Sequence, residues 1–225
     1  MPLSTRSSEL ELLDAADLDP AELRINLREM AMLNRLPGGV TTSVRAVLGA
    51  LNGRADASVL DIGAGSGDFA WRLARERPVR ILVGDSRAEV LDIARARLAR
   101  TDGVEFLEAD VTALPLPDRS VGVVHASLLL HHLDAPAAIA AFREMRRVAR
   151  EAVVVNDLRR GRLAYLMSLA PVLAFTRGRY TRADGPASAR RAYTLHELDS
   201  LAAEAGLSVV RRTVPWWPRV TTVYR

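Results

Sequence analysis

The chain has 225 residues, 49% hydrophobic and 26% charged, which suits one domain with a sizeable core and a soluble surface. It has no cysteine, which excludes disulfides, thiolate metal ligands and cysteine nucleophiles; all 31 basic residues are arginine, which excludes Schiff-base and lysine-base chemistry. The net charge of +4 does not point to nucleic acid, because the arginines are scattered beside Asp and Glu as on solvated helix faces. The N-terminus lacks a signal pattern and no apolar run reaches the ~18 residues of a spanning helix, so the expectation is a cytoplasmic protein without integral membrane association.

In chain order, residues 1–19 are polar and acidic and read as a loose lead-in. Leu23, Leu27, Met30 and Leu33 recur at helical spacing until Pro37-Gly38-Gly39 interrupts them, and Val44, Val47, Leu48 and Leu51 mark a second helix that Asn52-Gly53 ends. From residue 57 strands and helices alternate. Apolar strands are expected at 59–62, 79–84, 104–107, 121–126 and 152–156. Amphipathic helices between them carry Phe69 and Leu73; Val90, Leu91, Ala94 and Leu98; and Ile139, Phe142, Met145 and Val148. Ser86 and Glu89 have capping-box spacing, as do Thr194 and Glu197. Such alternation means a parallel sheet covered by helices on both faces. Segments 207–214 and 220–224, joined through Pro215-Trp216-Trp217-Pro218, are too close to be anything but an antiparallel pair.

The most informative stretch is Asp61-Ile62-Gly63-Ala64-Gly65-Ser66-Gly67-Asp68, where a strand runs through three alternating glycines into a helix. Glycine allows tight turns and close approach of a ligand to the main chain. A dinucleotide fingerprint would place its third glycine at Asp68, where a carboxylate repels a pyrophosphate, so the spacing favours a ligand without phosphates. Asp85 ends the next strand, where an acid can accept both hydroxyls of a ribose.

The Asp-x-Gly-x-Gly-x-Gly run, the acid ending the second strand and Asp110 after the third resemble the class I S-adenosylmethionine-dependent methyltransferases, closely over residues 57–157. The resemblance implies an α/β, Rossmann-like fold with a seven-stranded, mostly parallel sheet whose last strand is antiparallel. It implies a single domain: an N-terminal helical cap (1–53), a cofactor-binding core (54–157), a lid insert after the fifth strand (158–193) and a C-terminal helix and hairpin (194–225). It further implies that S-adenosyl-L-methionine is the cofactor and gives roles to matching positions. Gly63, Ala64, Gly65 and Gly67 would pass beneath it, Asp61 would support its amino-acid end, and Asp85 and Ser86 would hold the ribose. Asp110 and Val111 would flank the adenine, and Ala126 and Ser127 would line the methionine side. The chain departs from the common pattern before the fifth strand, where Arg147-Val148-Ala149-Arg150-Glu151-Ala152 lacks the usual Pro-Gly-Gly.

His131 and His132 follow the fourth strand and Asp157 ends the fifth, at the carboxyl edge where open α/β sheets bind ligands. A histidine oriented by a carboxylate can take a proton from a hydroxyl, so these three are the candidate catalytic residues, without a choice between the two histidines. They could equally cap neighbouring helices. His125, within a strand, reads as a core residue. No clustered metal ligands are evident, and no catalytic ion is expected. Residues 163–175 are nearly all apolar with arginines on either side: a lid over a greasy acceptor, a membrane-surface helix, or a core or dimer helix. Through Asn156-Asp157-Leu158 and the apolar insert the chain resembles bacterial small-molecule O-methyltransferases of phenolic polyketide or quinone pathways, and this resemblance implies O-methylation of a small, apolar, phenolic or polyketide-like acceptor in secondary metabolism. C-methylation of a similar ring, a nucleic-acid or protein methyltransferase, a non-catalytic cofactor-binding protein and a homodimer stay open.

Overall fold

The computed structural model describes residues 3–15, 17–53, 57–213 and 218–225. Its centre is one seven-stranded sheet: β1 (Ser58–Ile62), β2 (Arg80–Asp85), β3 (Val104–Glu108), β4 (Val121–Ser127), β5 (Ala149–Leu158), β6 (Val209–Thr213) and β7 (Arg219–Tyr224). The spatial order is β3-β2-β1-β4-β5-β7-β6. The first five strands pair in parallel, and β7 pairs antiparallel with both β5 and β6. The chain reverses direction across the sheet at β1, between β2 and β4, which makes the carboxyl end of β1 a switch point where a crevice opens.

Residues alternate faces along each strand and so feed two cores. Leu60, Ile62, Val124, Val153 and Val155 pack with α5 (Ala135–Val148) and α8 (Leu195–Glu204) through Phe142, Met145, Leu198 and Leu201. Val59, Ile81, Val83, Val123 and Val154 pack on the other face with α2 (Val40–Leu51), α3 (Asp68–Glu76) and α4 (Ala88–Leu98) through Val47, Leu51, Phe69, Leu73 and Leu91. Thr194 and Glu197 form the capping box expected for α8, and Asn52, in the left-handed conformation, closes α2.

Two local expectations are corrected, and two segments left open by the sequence are resolved. Arg87, not Ser86, is the N-cap of α4, and no side chain caps it; Arg87 N–H instead donates to the Asp85 carboxylate at 3.2 Å. The segment lacking Pro-Gly-Gly contains no turn: α5 ends at Val148 and β5 begins at the next residue. The apolar stretch 163–175 falls in α6 (Arg162–Phe175), and the rest of the insert holds a second helix, α7 (Arg179–Arg191), obscured in the sequence by Gly185-Pro186. The lead-in is tied down, by polar bonds rather than apolar packing. The N–H groups of Leu12 and Leu13 donate to the Asp184 carboxylate at 2.8 and 3.1 Å, and Arg6 donates to the carbonyls of His131 and Leu133. The tip of the hairpin, residues 214–217, lies outside the described residues. Among the described residues no helix is long and apolar enough to cross a membrane.

Candidate active site

At the carboxyl end of β1 the chain passes through Gly63, Gly65 and Gly67, all with positive φ of 67°, 55° and 72°. This left-handed region costs a residue with a Cβ about 1–2 kcal/mol. The loop forms one wall of a cleft of about 430 Å³, within the range of sites for small ligands. Asp61, Gly63, Ala64, Gly65, Asp85, Ser86, Asp110, Val111 and Ser127 all line it. Gly67 and Ala126 do not. Gly67 caps α3, and a Cβ there would come within 2.8 Å of Leu98, so its smallness serves helix packing. Ala126 points into the core beneath α5 and α8, because Ser127, the next residue, takes the outward position.

Three carboxylates in the cleft are held in different ways. Asp61 Oδ1 accepts from the Nδ1–H of His125 at 2.8 Å, and the imidazole stacks on Phe69 with centroids 3.7 Å apart. Asp61 Oδ2 is buried and has no partner, so one acceptor is left for a ligand's donor. His125 is therefore a core residue that orients a cleft residue. Asp85 accepts from the N–H groups of Gly65 and Arg87, both at 3.2 Å, and burial pushes its carboxyl above the usual range. Asp110 Oδ1 accepts from the Thr112 N–H and hydroxyl at 2.8 Å, which sets the turn after β3.

Beside the cleft lies a smaller chamber of about 130 Å³, reached past Leu13, Met30 and Leu128, which line both spaces. A cavity near 150 Å³ accepts benzene, so the chamber has the volume of about one ring. Its wall includes His131, His132, Met167, Pro171 and Val172, the last three from α6. Elsewhere along α6, Leu163, Leu166, Leu173 and Phe175 are more than half exposed, so much of its surface lies outside the core of this chain.

His131 and Asp157 meet at the chamber. Nδ1–H of His131 donates to Asp157 Oδ1 at 2.6 Å, and Asp157 Oδ2 accepts from the N–H groups of Leu130 and His131 at 2.9 and 3.3 Å. Burial alone would raise this acid, but the imidazole and the N–H donors hold it below its usual range. With Nδ1 donating, the neutral ring carries its lone pair on Nε2. His132 is bound differently: its Nδ1 lies 3.0 Å from Asp14, which also pairs with Arg191. The structure thus joins Asp157 to His131 and not to His132.

Three polar residues of the site escaped the sequence reading. Glu11 is buried among His131, His132 and Ser188, and burial raises its carboxyl. Arg219 is buried and donates to Ser127 Oγ at 2.9 Å, to Asn156 Oδ1 at 3.2 Å and to Asn34 Oδ1. Asn34 in turn donates to Asp68 Oδ2 at 2.6 Å, so the end of α1 (Pro20–Leu33) is sewn to the sheet edge. The available signal was the polar stripe Asp184, Ser188 and Arg191, at helical spacing along α7.

Residues 59–152 match the family model of a methyltransferase domain. The chain is 34% identical over 165 residues to a demethylmenaquinone methyltransferase of Roseiflexus castenholzii, covering 67% of this chain and 68% of that protein. It is 35% identical over 102 residues to the ubiquinone/menaquinone biosynthesis C-methyltransferase UbiE of Hahella chejuensis, covering 43% of this chain and only 40% of the relative's length. Its fold is similar to the crystal structure of an S-adenosylmethionine-dependent methyltransferase from Aquifex aeolicus, with a TM-score of 0.63, 18% identity, and coverage of 92% and 98% of the two chains.

Proposed function

Since the chain belongs to the class I S-adenosylmethionine-dependent methyltransferases, we propose that it methylates the hydroxyl of a small, apolar, single-ring phenolic acceptor. The observation that carries this reading is the His131–Asp157 pair, of which His131 lines a ring-sized, mostly apolar chamber adjoining the glycine-lined cleft and Asp157 lies buried behind it.

The cleft residues fit the cofactor. It has an ammonium, ribose hydroxyls and an adenine but no phosphate. The cleft offers the unpartnered Oδ2 of Asp61 to a cationic donor, the Asp85 carboxylate to hydroxyls, and a glycine backbone against which a ligand can lie. Ser86 joins Asp85 at the ribose, Asp110 and Val111 flank the adenine, Ser127 lines the methionine side, and Gly63, Ala64 and Gly65 form the floor. When bound, the cofactor supplies a methyl group already activated on a sulfonium.

The chain's own work is alignment, exclusion of water and removal of one proton. Leu13, Met30 and Leu128, together with Asn26, Asn34 and His132, line both spaces, a mixed apolar and polar border that favours a fixed orientation of the acceptor. His131 Nε2 takes the hydroxyl proton, and Asp157 holds the ring in the required tautomer and stabilises the resulting imidazolium. A phenol has a pKa near ~10, so one such base suffices.

A second reading is methylation at a ring carbon beside the hydroxyl, since the Hahella relative is named a C-methyltransferase. It needs the same deprotonation. The test is to incubate purified chain with S-adenosylmethionine and a panel of simple phenols and quinols, follow release of S-adenosylhomocysteine, and locate the new methyl by NMR. A methoxy signal supports O-transfer and a ring-methyl signal the second reading. Turnover with RNA or protein but with no phenol would overturn both.

A further inference from the structure

The rings of His131 and His132 stack at one corner of the chamber, with centroids 4.3 Å apart and a tilt of 35°. Each has its Nδ1 engaged by a carboxylate, His131 by Asp157 at 2.6 Å and His132 by Asp14 at 3.0 Å. Each therefore presents an Nε2 lone pair. Both lone pairs face one carboxylate: His131 Nε2 is 3.9 Å from Glu11 Oε1, and His132 Nε2 is 3.8 Å from Glu11 Oε2. These separations are too long for hydrogen bonds. Glu11 Oε1 is buried with no hydrogen-bond partner, although Glu11 Oε2 accepts from the Ser188 hydroxyl at 2.7 Å. Arg191 Nη1 stands 3.6 Å from Glu11 Oε1 and offsets part of its charge, and the two Nε2 lone pairs still face the carboxylate with no hydrogen bond joining them.

We propose that Glu11, His131 and His132 bind a divalent transition-metal ion of the zinc class. One donor atom from each lies within 4.8 Å of the others. A tetrahedral zinc with ligand bonds of about 2.0–2.2 Å sets ligand atoms roughly 3.4 Å apart, so donor separations of up to 4.8 Å close by at most about 1.4 Å, within reach of side-chain rotation. Two imidazoles and one carboxylate suit zinc, whereas magnesium and calcium prefer all-oxygen sets. Metal-binding imidazoles commonly donate their other N–H to a carboxylate, and here both do so before any ion arrives. The three groups border the chamber, which leaves a position open to a ligand, as in catalytic rather than structural zinc sites. The ion occupies the His131 lone pair that otherwise takes a proton, so the metal-free chain is the general-base form. Sequence reasoning expected no such site because Glu11 lies far along the chain from His131 and His132.

The site stands on this geometry and not on methyl transfer, so it is tested without cofactor or acceptor, and its failure is separate from failure of the base assignment. The full chain, stripped with chelator, is titrated with zinc chloride by calorimetry. We expect one saturable equivalent. His132→Ala and Glu11→Gln should each weaken binding at least ~10-fold, and Asp14→Asn, which keeps every ligand, should weaken it ~10–100-fold. His196→Ala, on the surface of α8, should leave it unchanged. Cobalt(II) should give visible d–d bands that disappear in His132→Ala. Circular dichroism confirms folding; should Glu11→Gln not fold, His132→Ala carries the test, since that ring is 26% exposed. No saturable zinc binding by the wild-type chain, or binding unchanged in His132→Ala, would overturn the proposal and leave a shared proton between the groups.

Discussion

His131 Nδ1 lies 2.6 Å from Asp157 Oδ1, and both side chains are buried at the junction of β4 and β5. Our proposal of His131 rather than His132 as the base rests on this contact, because His132 turns its Nδ1 to Asp14 instead. We expect His131→Ala to keep cofactor affinity and to lose about 10²–10⁴-fold in turnover, the usual contribution of a positioned base. Calorimetry with S-adenosylhomocysteine and steady-state rates with an accepted phenol check this. Near wild-type turnover would reduce His131 to a wall residue.

Asp157→Asn should lower both activity and stability. Losing a charged acceptor that serves the His131 ring and the Leu130 N–H typically costs about 1–3 kcal/mol. The effect should depend on pH. Asp157 is held below its usual range in the fold, so its contribution is fully present above the unfolded value of about 3.9 and is lost as pH falls through the lower folded value. Urea denaturation at neutral pH and at acid pH should therefore show a stability gap between wild type and Asp157→Asn that narrows as pH falls. A gap of constant size would mean that the carboxylate charge is not what stabilises the fold.

Asp85→Ala should weaken the cofactor by about 1–3 kcal/mol, the cost of losing a charged hydrogen-bond acceptor. Burial raises the Asp85 carboxyl in the cofactor-free chain, so affinity should be full at neutral pH and decline as acidification protonates the group, beginning at a higher pH than for an exposed aspartate. Titration of S-adenosylhomocysteine across pH checks both. An unchanged dissociation constant in Asp85→Ala would place the ribose elsewhere.

The sheet and the glycine loop were readable in the sequence because their signals are local. Val59–Ile62 is a short apolar run, and the glycines after it meet a backbone that needs positive φ. The polar wiring was not readable. Glu11 acts through Ser188, Arg219 through Asn34 and Ser127, and each contact joins residues far apart in the chain. No periodicity records such pairs. The acidic lead-in looked loose for the same reason: its order comes from Asp184, Arg191 and the histidines, not from an apolar stripe. The Ser86–Glu89 spacing misled in the opposite direction, because Asp85 already accepts the Arg87 N–H and starts the helix one residue later.

Arg219→Lys should not be conservative. The guanidinium reaches Asn34, Asn156 and Ser127 at once, a spread that a single ammonium cannot match. Burial lowers its pKa to about 10, which still leaves it charged at neutral pH. Losing two of these bonds leaves buried acceptors unsatisfied, at about 1–3 kcal/mol each. We expect a lower Tm and faster amide exchange at the end of α1. Thermal melts and hydrogen exchange of Arg219→Lys check this; exchange confined to wild-type rates would show that α1 is held by other contacts.

Gly63 separates two costs that a larger side chain would meet. Its φ of 67° is strained for any residue with a Cβ, at about 1–2 kcal/mol, and a Cβ there would sit 3.0 Å from Leu129 Cδ1. Gly63→Ala should therefore destabilise the chain and weaken the cofactor, because the added methyl stands on the cleft wall. Leu129→Ala removes the contact but not the dihedral strain. In a double-mutant cycle, Gly63→Ala should cost less in the Leu129→Ala background than alone, and a residue of about 1–2 kcal/mol should persist. Denaturation of the four proteins, with cofactor affinity measured in parallel, gives both terms. Additive costs would mean that Leu129 moves aside freely, and a cost that vanished in the double variant would mean that the loop relaxes away from its left-handed conformation.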